Sequence, residues 1–241
     1  MIKKKNVICI IPARGGSKGI KLKNIKEVGN KPLIYYPISS AKKSKVCDRI
    51  FVSTDNEKIA KIAKKFGADV PFLRKKKFSK DLTSTEQTLK NALLEYEKFY
   101  KIKFDICVFL TCTNIFRDFR KISLAVNRLK NNSKLDTVLT ATKIYRHFWH
   151  FQKGKLKKVL PWMKNYHSRQ NAPKLYREEA GITCATRAKF WRKGKRIGEK
   201  VELLENQFPF SEIDIHSQND VFLANQAIKI IKSNKKLKKI F

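Results

Sequence analysis

The sequence predicts an α/β fold, a mostly parallel sheet flanked by helices, and three observations predict it. Continuous apolar runs at 6–13 (NVICIIPA) and 104–113 (FDICVFLTCT) suit strands buried on both faces. Amphipathic stretches of helical period alternate with such runs, which is the pattern of βαβ units. With 241 residues, 42% of them hydrophobic, the chain is long and apolar enough for one large core.

Each element has its own local reason. NVICIIPA is the first strand. LIYYPISSAKKSK (33–45) reads as a helix with Pro37 early in it, where the missing N–H is tolerated. RIFVSTD (49–55) is the second strand. In the helix that follows, Ile59, Ile62, Ala63 and Phe66 recur at helical spacing and Gly67 suits its end. Thr54 and Glu57 match a capping box there, and Asp55, at the strand end, either orients the glycine loop or serves as a further cap residue. STEQTLKNALLEYEKFY (84–100) is a second amphipathic helix opened by capping residues, and FDICVFLTCT is the third buried strand. RKISLAVNRLKNN (120–132) is a helix and DTVLTATKIY (136–145) a strand. From 145 to 178 the rhythm breaks into aromatic, cationic and turn residues, as in an insertion that packs on a second subunit or folds over its own chain as a lid. A strand and helix return at 181–194, a strand at 200–206 and a last helix at 219–234, capped by Asp220; the lysine-rich tail frays.

Composition removes several function classes. No apolar run approaches the roughly 18 residues of a membrane span. The N-terminus is charged and then apolar, but it leads into a glycine loop rather than a small-residue cleavage site, so it reads as a first strand of a cytoplasmic protein. The five cysteines are scattered and odd in number, with no zinc-like CxxC or Cys/His cluster, and read as reduced structural thiols. The net charge of +35 comes mainly from lysines spread along the whole chain. That spread fits a solvated surface better than a nucleic-acid reader, and it draws in anionic substrates.

Ligands of such sheets sit beyond the carboxyl ends of the strands. That rule puts Arg14–Lys23, Asp55 and Thr111–Arg117 along one edge. The loop IIPARGGSKGIKLKN, Ile10–Asn24, is where an apolar strand breaks into glycines crowded by Arg14, Lys18, Lys21 and Lys23. It is not the P-loop GxxxxGK[ST], and its spacing is not the Rossmann GxGxxG. What remains is a glycine turn whose backbone N–H groups approach an anion closely, with arginine as a two-pronged phosphate ligand and lysine as a point charge. A flexible loop of solvated cations is the alternative.

IPARGGSKGIKLKN resembles the N-terminal signature of the acylneuraminate cytidylyltransferases, the CMP-sialic acid synthetase family. KPLIYYPISSA, RIFVSTDNEKIAKIAKKFGADVPFLR, FLTCTNIFRD, SRQNAPKLYREEAG and EIDIHSQNDVFLANQAI resemble further family segments in the same order, so the resemblance spans most of the chain. It implies one Rossmann-like domain of the nucleotide-diphospho-sugar transferase type, over 1–241, with 145–178 as a dimerisation element. It also implies a reaction in which a sialic-acid-like α-keto sugar acid attacks CTP, giving a CMP-sugar and pyrophosphate with Mg²⁺ required. Readings left beside it are another sugar nucleotidyltransferase of the CMP-Kdo type, and a non-catalytic basic nucleic-acid-binding protein on the same fold.

By the resemblance, Arg14, Lys18 and Lys23 clamp the phosphates, on a turn formed by Gly15, Gly16 and Ser17. Lys21 stands where the family often has proline, and is a further phosphate contact or faces solvent. Asn24 contacts cytosine or ribose, or closes the turn. Arg74 lies near the base, or is one more cation of LRKKK. Thr83 and Ser84 reach the nucleotide, or cap the helix at 84–100. Asp214 is the metal ligand shared by two possible registers, Asp214-Ile215-His216 and Glu212-Ile213-Asp214. His216 then stands where the family has a second acid, and is a metal-water partner, a base or a plain loop histidine. The family holds its sugar acid partly with a glutamine where this chain has Thr111; Thr113 and Arg117 are retained, while Ala180-Gly181 replaces an Asn-Gly. These departures widen the sugar question to legionaminate, pseudaminate or a related acid. Arg169 and Gln170 match an Arg-Gln that, on a protruding segment, reaches a neighbouring subunit.

Overall fold

The computed structural model describes residues 6–17, 19–165, 167–168 and 170–241; Lys18 and Arg169 lie outside the described residues. In chain order the strands are β1 (Val7–Pro12), β2 (Glu27–Val28), β3 (Lys31–Pro32), β4 (Arg49–Ser53), β5 (Ile106–Phe109), β6 (Thr137–Ile144), β7 (Trp149–Gln152), β8 (Lys155–Lys158), β9 (Leu175–Glu178), β10 (Cys184–Arg187) and β11 (Val201–Glu205). The helices are α1 (Tyr35–Ser44), α2 (Glu57–Lys65), α3 (Thr85–Tyr100), α4 (Phe119–Asn131), α5 (Ala188–Arg192), α6 (Gln218–Ser233) and α7 (Lys235–Ile240).

The central sheet runs β11-β6-β10-β5-β1-β4, with β9 also paired to β6. β1 is parallel to β4 and β5, and β11 is parallel to β6. β10 sits antiparallel between β5 and β6, so five of the seven strands share one direction. The expected mostly parallel sheet is therefore present, with one reversed strand at its centre.

Alternation along β1 explains the two cores. Val7, Cys9 and Ile11 face one side, where they pack with Ile38 of α1, Ile122 and Val126 of α4, and Ala224 and Ile228 of α6. Ile8 and Ile10 face the other, against Leu89, Leu93 and Tyr96 of α3 and Trp191 of α5. Each fully buried Val, Ile or Leu among them contributes about 1.5–3 kcal/mol. Both faces being covered is why the strand reads as an unbroken apolar run.

Some expectations need correction. The cap of α2 is Asn56, whose side chain accepts from Ile59 N, rather than a box of Thr54 and Glu57. The tail does not end frayed: α7 carries Phe241 onto Phe116 and Phe208, with ring centroids 5.7 and 6.3 Å away. Within 145–178, β7 and β8 form a hairpin whose turn residues Lys153 and Gly154 both have positive φ, as a tight two-residue turn requires. β9 then returns to the main sheet, so the last residues of that segment belong to the core architecture.

Candidate active site

A cavity of about 500 Å³ opens above the carboxyl ends of β1 and β5. Arg14, Ser17, Gly19, Lys23 and Asn24 line one wall. Opposite them stand Arg74, Phe78, Ser79, Lys80, Asp81 and Thr83, continued by Thr85 and Thr88 of α3. Phe109, Thr111, Cys112 and Thr113 contribute from the end of β5, and His216 from the turn before α6.

The glycine loop is held by its neighbours. Gly15 N–H donates to Asp55 Oδ1 at 2.9 Å, so Asp55 orients the loop instead of capping α2. A Cβ on Gly15 would stand 2.9 Å from Asn56 Cβ, and one on Gly19 only 2.5 Å from the His216 carbonyl oxygen. The loop thus passes backbone to backbone against the segment before α6, an approach only glycine permits. Gly16 has open space beside it. Asn24, buried, donates from Nδ2 to Arg14 O at 2.9 Å and so closes the turn while also lining the cavity.

The charged groups form short chains. Lys23 Nζ lies 3.3 Å from His216 Nδ1, and His216 Nε2 lies 3.0 Å from Asp214 Oδ2. Burial pushes the Lys23 ammonium below the usual lysine range, and nearby Asp214 pulls it back up. Asp214 itself is half-exposed and outside the lining; His216 links it to the cavity. Glu212 turns instead toward Arg177, 3.6 Å away, which supports the Asp214–His216 register. Asp220 takes part in capping α6, but the cap itself is Ser217, with Asp220 as its partner in a reciprocal box: Asp220 Oδ2 accepts from His216 N and Ser217 N, and these bonds, with that from the Ser217 hydroxyl, hold its carboxyl below the usual range. Arg14 Nη1 donates to Asp81 Oδ1 at 2.6 Å across the cavity. Arg74 is buried, donating from its backbone N to Thr54 O at 2.7 Å and from Nε to Ser79 Oγ at 3.0 Å. Burial lowers its pKa, against the pull of Asp55.

Arg117 is the main correction. Expected at the substrate, it is fully buried and absent from the lining. Its Nε donates to Ile182 O at 2.9 Å, and Nη2 to Thr111 O and Gly181 O, both at 3.0 Å. It clamps main chain beneath the wall that Thr111 forms, and burial brings its pKa down to about 10. Thr111 itself donates from Oγ1 to Asn114 Oδ1 at 2.7 Å, and Thr113 O accepts from Ile215 N at 3.2 Å. Gly181 has no room for a side chain: a Cβ would meet Asn114 Oδ1 at 2.3 Å. Of its two readings Ser84 takes the cap: it opens α3 in a reciprocal box with Gln87 and does not line the cavity, whereas Thr83 does. Gln170 is exposed on the protruding segment and lines no part of this chain's cavity. Burial raises the Cys112 thiol to about 12, so it stays protonated at the cavity wall.

Sequence reasoning missed Phe78, Ser79, Lys80, Asp81, Thr85, Thr88 and Phe109 as lining residues. The cation-rich stretch after Arg74 was the available signal, because a loop following a strand end on the ligand edge is where a wall belongs.

The cytidylyltransferase family model matches residues 8–236, nearly the whole chain. The chain belongs to the cytidylyltransferase family. A Campylobacter coli protein described as post-translational flagellin modification protein B is 36% identical over 180 residues, which is 73% of this chain and 75% of that protein. A pseudaminic acid cytidylyltransferase of Campylobacter jejuni is 39% identical over 115 residues, covering 47% of this chain and 50% of that protein. A solved structure of CMP:2-keto-3-deoxy-manno-octonic acid synthetase complexed with CTP is similar with a TM-score of 0.67 over 93% of this chain and 99% of that one. At 13% identity that likeness is one of fold. Membership makes the chain a nucleotidyltransferase, and the cationic glycine loop of this cytidylyltransferase lies at the strand-end edge where ligands of such sheets sit.

Proposed function

We propose that this cytidylyltransferase transfers CMP from CTP to a sialic-acid-like α-keto sugar acid of the nonulosonate class, releasing pyrophosphate. The observation that carries the reading is the cation-lined cavity built on the glycine loop, in a chain matched along its length by the cytidylyltransferase family. The similarity to a pseudaminic acid cytidylyltransferase supports the sugar class.

In this reading the sugar's anomeric hydroxyl oxygen bonds to the α-phosphorus of CTP. The bond from that phosphorus to the β-phosphate bridging oxygen breaks, pyrophosphate leaves with its electron pair, and the hydroxyl proton passes to solvent. Little covalent work falls to the protein, which positions the phosphates and neutralises their charge. Arg14 and Lys23 face the phosphates, Lys18 joins them from the same loop, and Gly15, Gly16 and Ser17 supply backbone. Arg74, Asn24 and Thr83 border the base and ribose, and Thr111 and Thr113 border the sugar acid.

Magnesium belongs to the proposal. Among the described residues no three His, Cys, Asp or Glu side chains cluster as a metal cage. One half-exposed carboxylate beside a phosphate loop still fits a hard cation that takes most ligands from phosphates and water. Asp214 would hold it, and His216 would fix that carboxylate through its 3.0 Å contact. When bound, the ion neutralises developing phosphate charge. Homodimerisation through the segment around β7 and β8, with Arg169 and Gln170 reaching the partner, and a cytoplasmic setting complete the proposal. Among the described residues no helix is long and apolar enough to cross a membrane.

The test is pyrophosphate release from CTP with magnesium, against a panel of eight- and nine-carbon α-keto sugar acids. Release with a nine-carbon acid is the expected result. Release only with an eight-carbon acid moves the substrate class, and silence across the panel removes the assignment.

A further inference from the structure

The cavity lining is unbalanced in charge. Arg14, Lys23, Arg74 and Lys80 face a single carboxylate among the described lining residues, Asp81. That carboxylate is placed against the cation of the glycine loop: Arg14 Nη1 to Asp81 Oδ1 is 2.6 Å, with the two side chains 35% and 44% exposed. A pocket evolved only to hold polyanions tightly gains nothing from an anion on its own wall, since a carboxylate and a phosphate sharing one guanidinium repel each other.

We propose that Asp81 is a competing anion built into the phosphate seat. It holds Arg14 while the seat is empty, yields it when the triphosphate tail arrives, and lowers the grip on pyrophosphate so that the product leaves. The inference rests on the reading of Arg14 as a phosphate ligand. Asp81 stands on the stretch that also carries Arg74, Phe78, Ser79 and Thr83, so exchange of Arg14 from carboxylate to phosphate releases the tie between that wall and the glycine loop. An ion pair this exposed is weak, which is what an exchangeable contact needs. A buried, fully satisfied pair in the same place would bar the substrate.

The opposite role, a positioning residue that presets Arg14 for phosphate, makes the opposite prediction, and this decides between them. In Asp81→Asn the shape and one acceptor remain while the charge is gone. At fixed ionic strength and magnesium, calorimetric titration should show CTP and pyrophosphate each binding about three- to tenfold more tightly. Product inhibition by pyrophosphate should strengthen by the same factor. Asp81→Ser removes the charge with a different shape and should move both constants the same way. In an Arg14→Ala background the gain from Asp81→Asn should fall. Unchanged or weaker CTP binding in both Asp81 variants overturns the proposal, and so does a gain undiminished without Arg14. If Arg14→Ala itself leaves CTP affinity intact, the phosphate reading fails instead.

Discussion

Lys23 shows how much one residue's surroundings decide. As a sequence letter it is one of many lysines; in the fold it is half-buried, 3.3 Å from His216, and its charge is opposed by burial and favoured by Asp214. A cation held in place before the substrate arrives is worth more than a mobile one, because it needs no reorganisation as charge develops. Lys23→Met should therefore lower kcat by about 10²–10³-fold in a steady-state pyrophosphate assay, with the folded far-UV spectrum unchanged. A loss under about threefold would mean that Lys23 only balances Asp214. Arg117 shows the reverse. The retained arginine of a sugar-side motif reads as a ligand, yet its Nε and Nη2 donate to the carbonyls of Thr111, Gly181 and Ile182. Arg117→Met strips those bonds from buried acceptors, at about 1–3 kcal/mol for each left unsatisfied. Urea unfolding should show at least about 2 kcal/mol lost; an unchanged midpoint would contradict the clamp.

At the scale of elements, the ionic anchor between α3 and α5 is independent of the site. Glu97 is buried on α3 and accepts from Arg192 Nε and Nη2 at 3.1 and 2.5 Å, from Lys103 Nζ at 3.0 Å and from Phe104 N at 3.1 Å. Burial pushes its carboxyl up, but these bonds outweigh it and hold the pKa below the ordinary carboxylate value. A carboxylate whose folded pKa is depressed contributes stability above its unfolded pKa, and loses it as pH falls through the folded one. Glu97→Gln should cost about 1–3 kcal/mol at neutral pH, since it removes the charge that Arg192 and Lys103 pair with while Arg192 keeps the Phe104 carbonyl. Chemical denaturation across the acid range should show the gap to wild type closing as pH drops. A gap constant with pH would mean that packing, not charge, is what the substitution removes. Elements like α3 were legible beforehand because Ser84 and Gln87 announce the cap and the apolar spacing announces the face. The hairpin of β7 and β8 was not, because its strands are only four residues each and almost wholly exposed, and the Trp149–Gln152 alternation is too short to stand out among the surrounding aromatics and cations.

At the scale of the whole molecule, the segment around that hairpin exposes large apolar side chains. Phe148, Trp149, Phe151, Leu156 and Val159 are 42–75% exposed there, a concentration of apolar surface that marks an interaction face. The proposed homodimer covers it. Phe151→Asp should convert a dimeric light-scattering mass to a monomeric one while leaving the thermal transition cooperative. A wild-type monomer at all concentrations would remove the dimer from the proposal. The charge of +35 fits the same scale: lysines spread over the surface raise the local concentration of anionic substrates without marking any one site.

What the sequence determined by itself was the order of the core strands and the helices between them, the cation-bearing glycine turn and the ligand edge. These follow from local causes: unbroken apolar runs, capping residues and the backbone freedom of glycine. What only the tertiary structure decided was which distant side chains meet. Asp55 reaches Gly15, Asp81 reaches Arg14, His216 links Lys23 to Asp214, and Arg117 turns away into the interior. Those pairings join residues far apart in the chain, and they form only when burial on both faces of the sheet brings its strand ends to one edge.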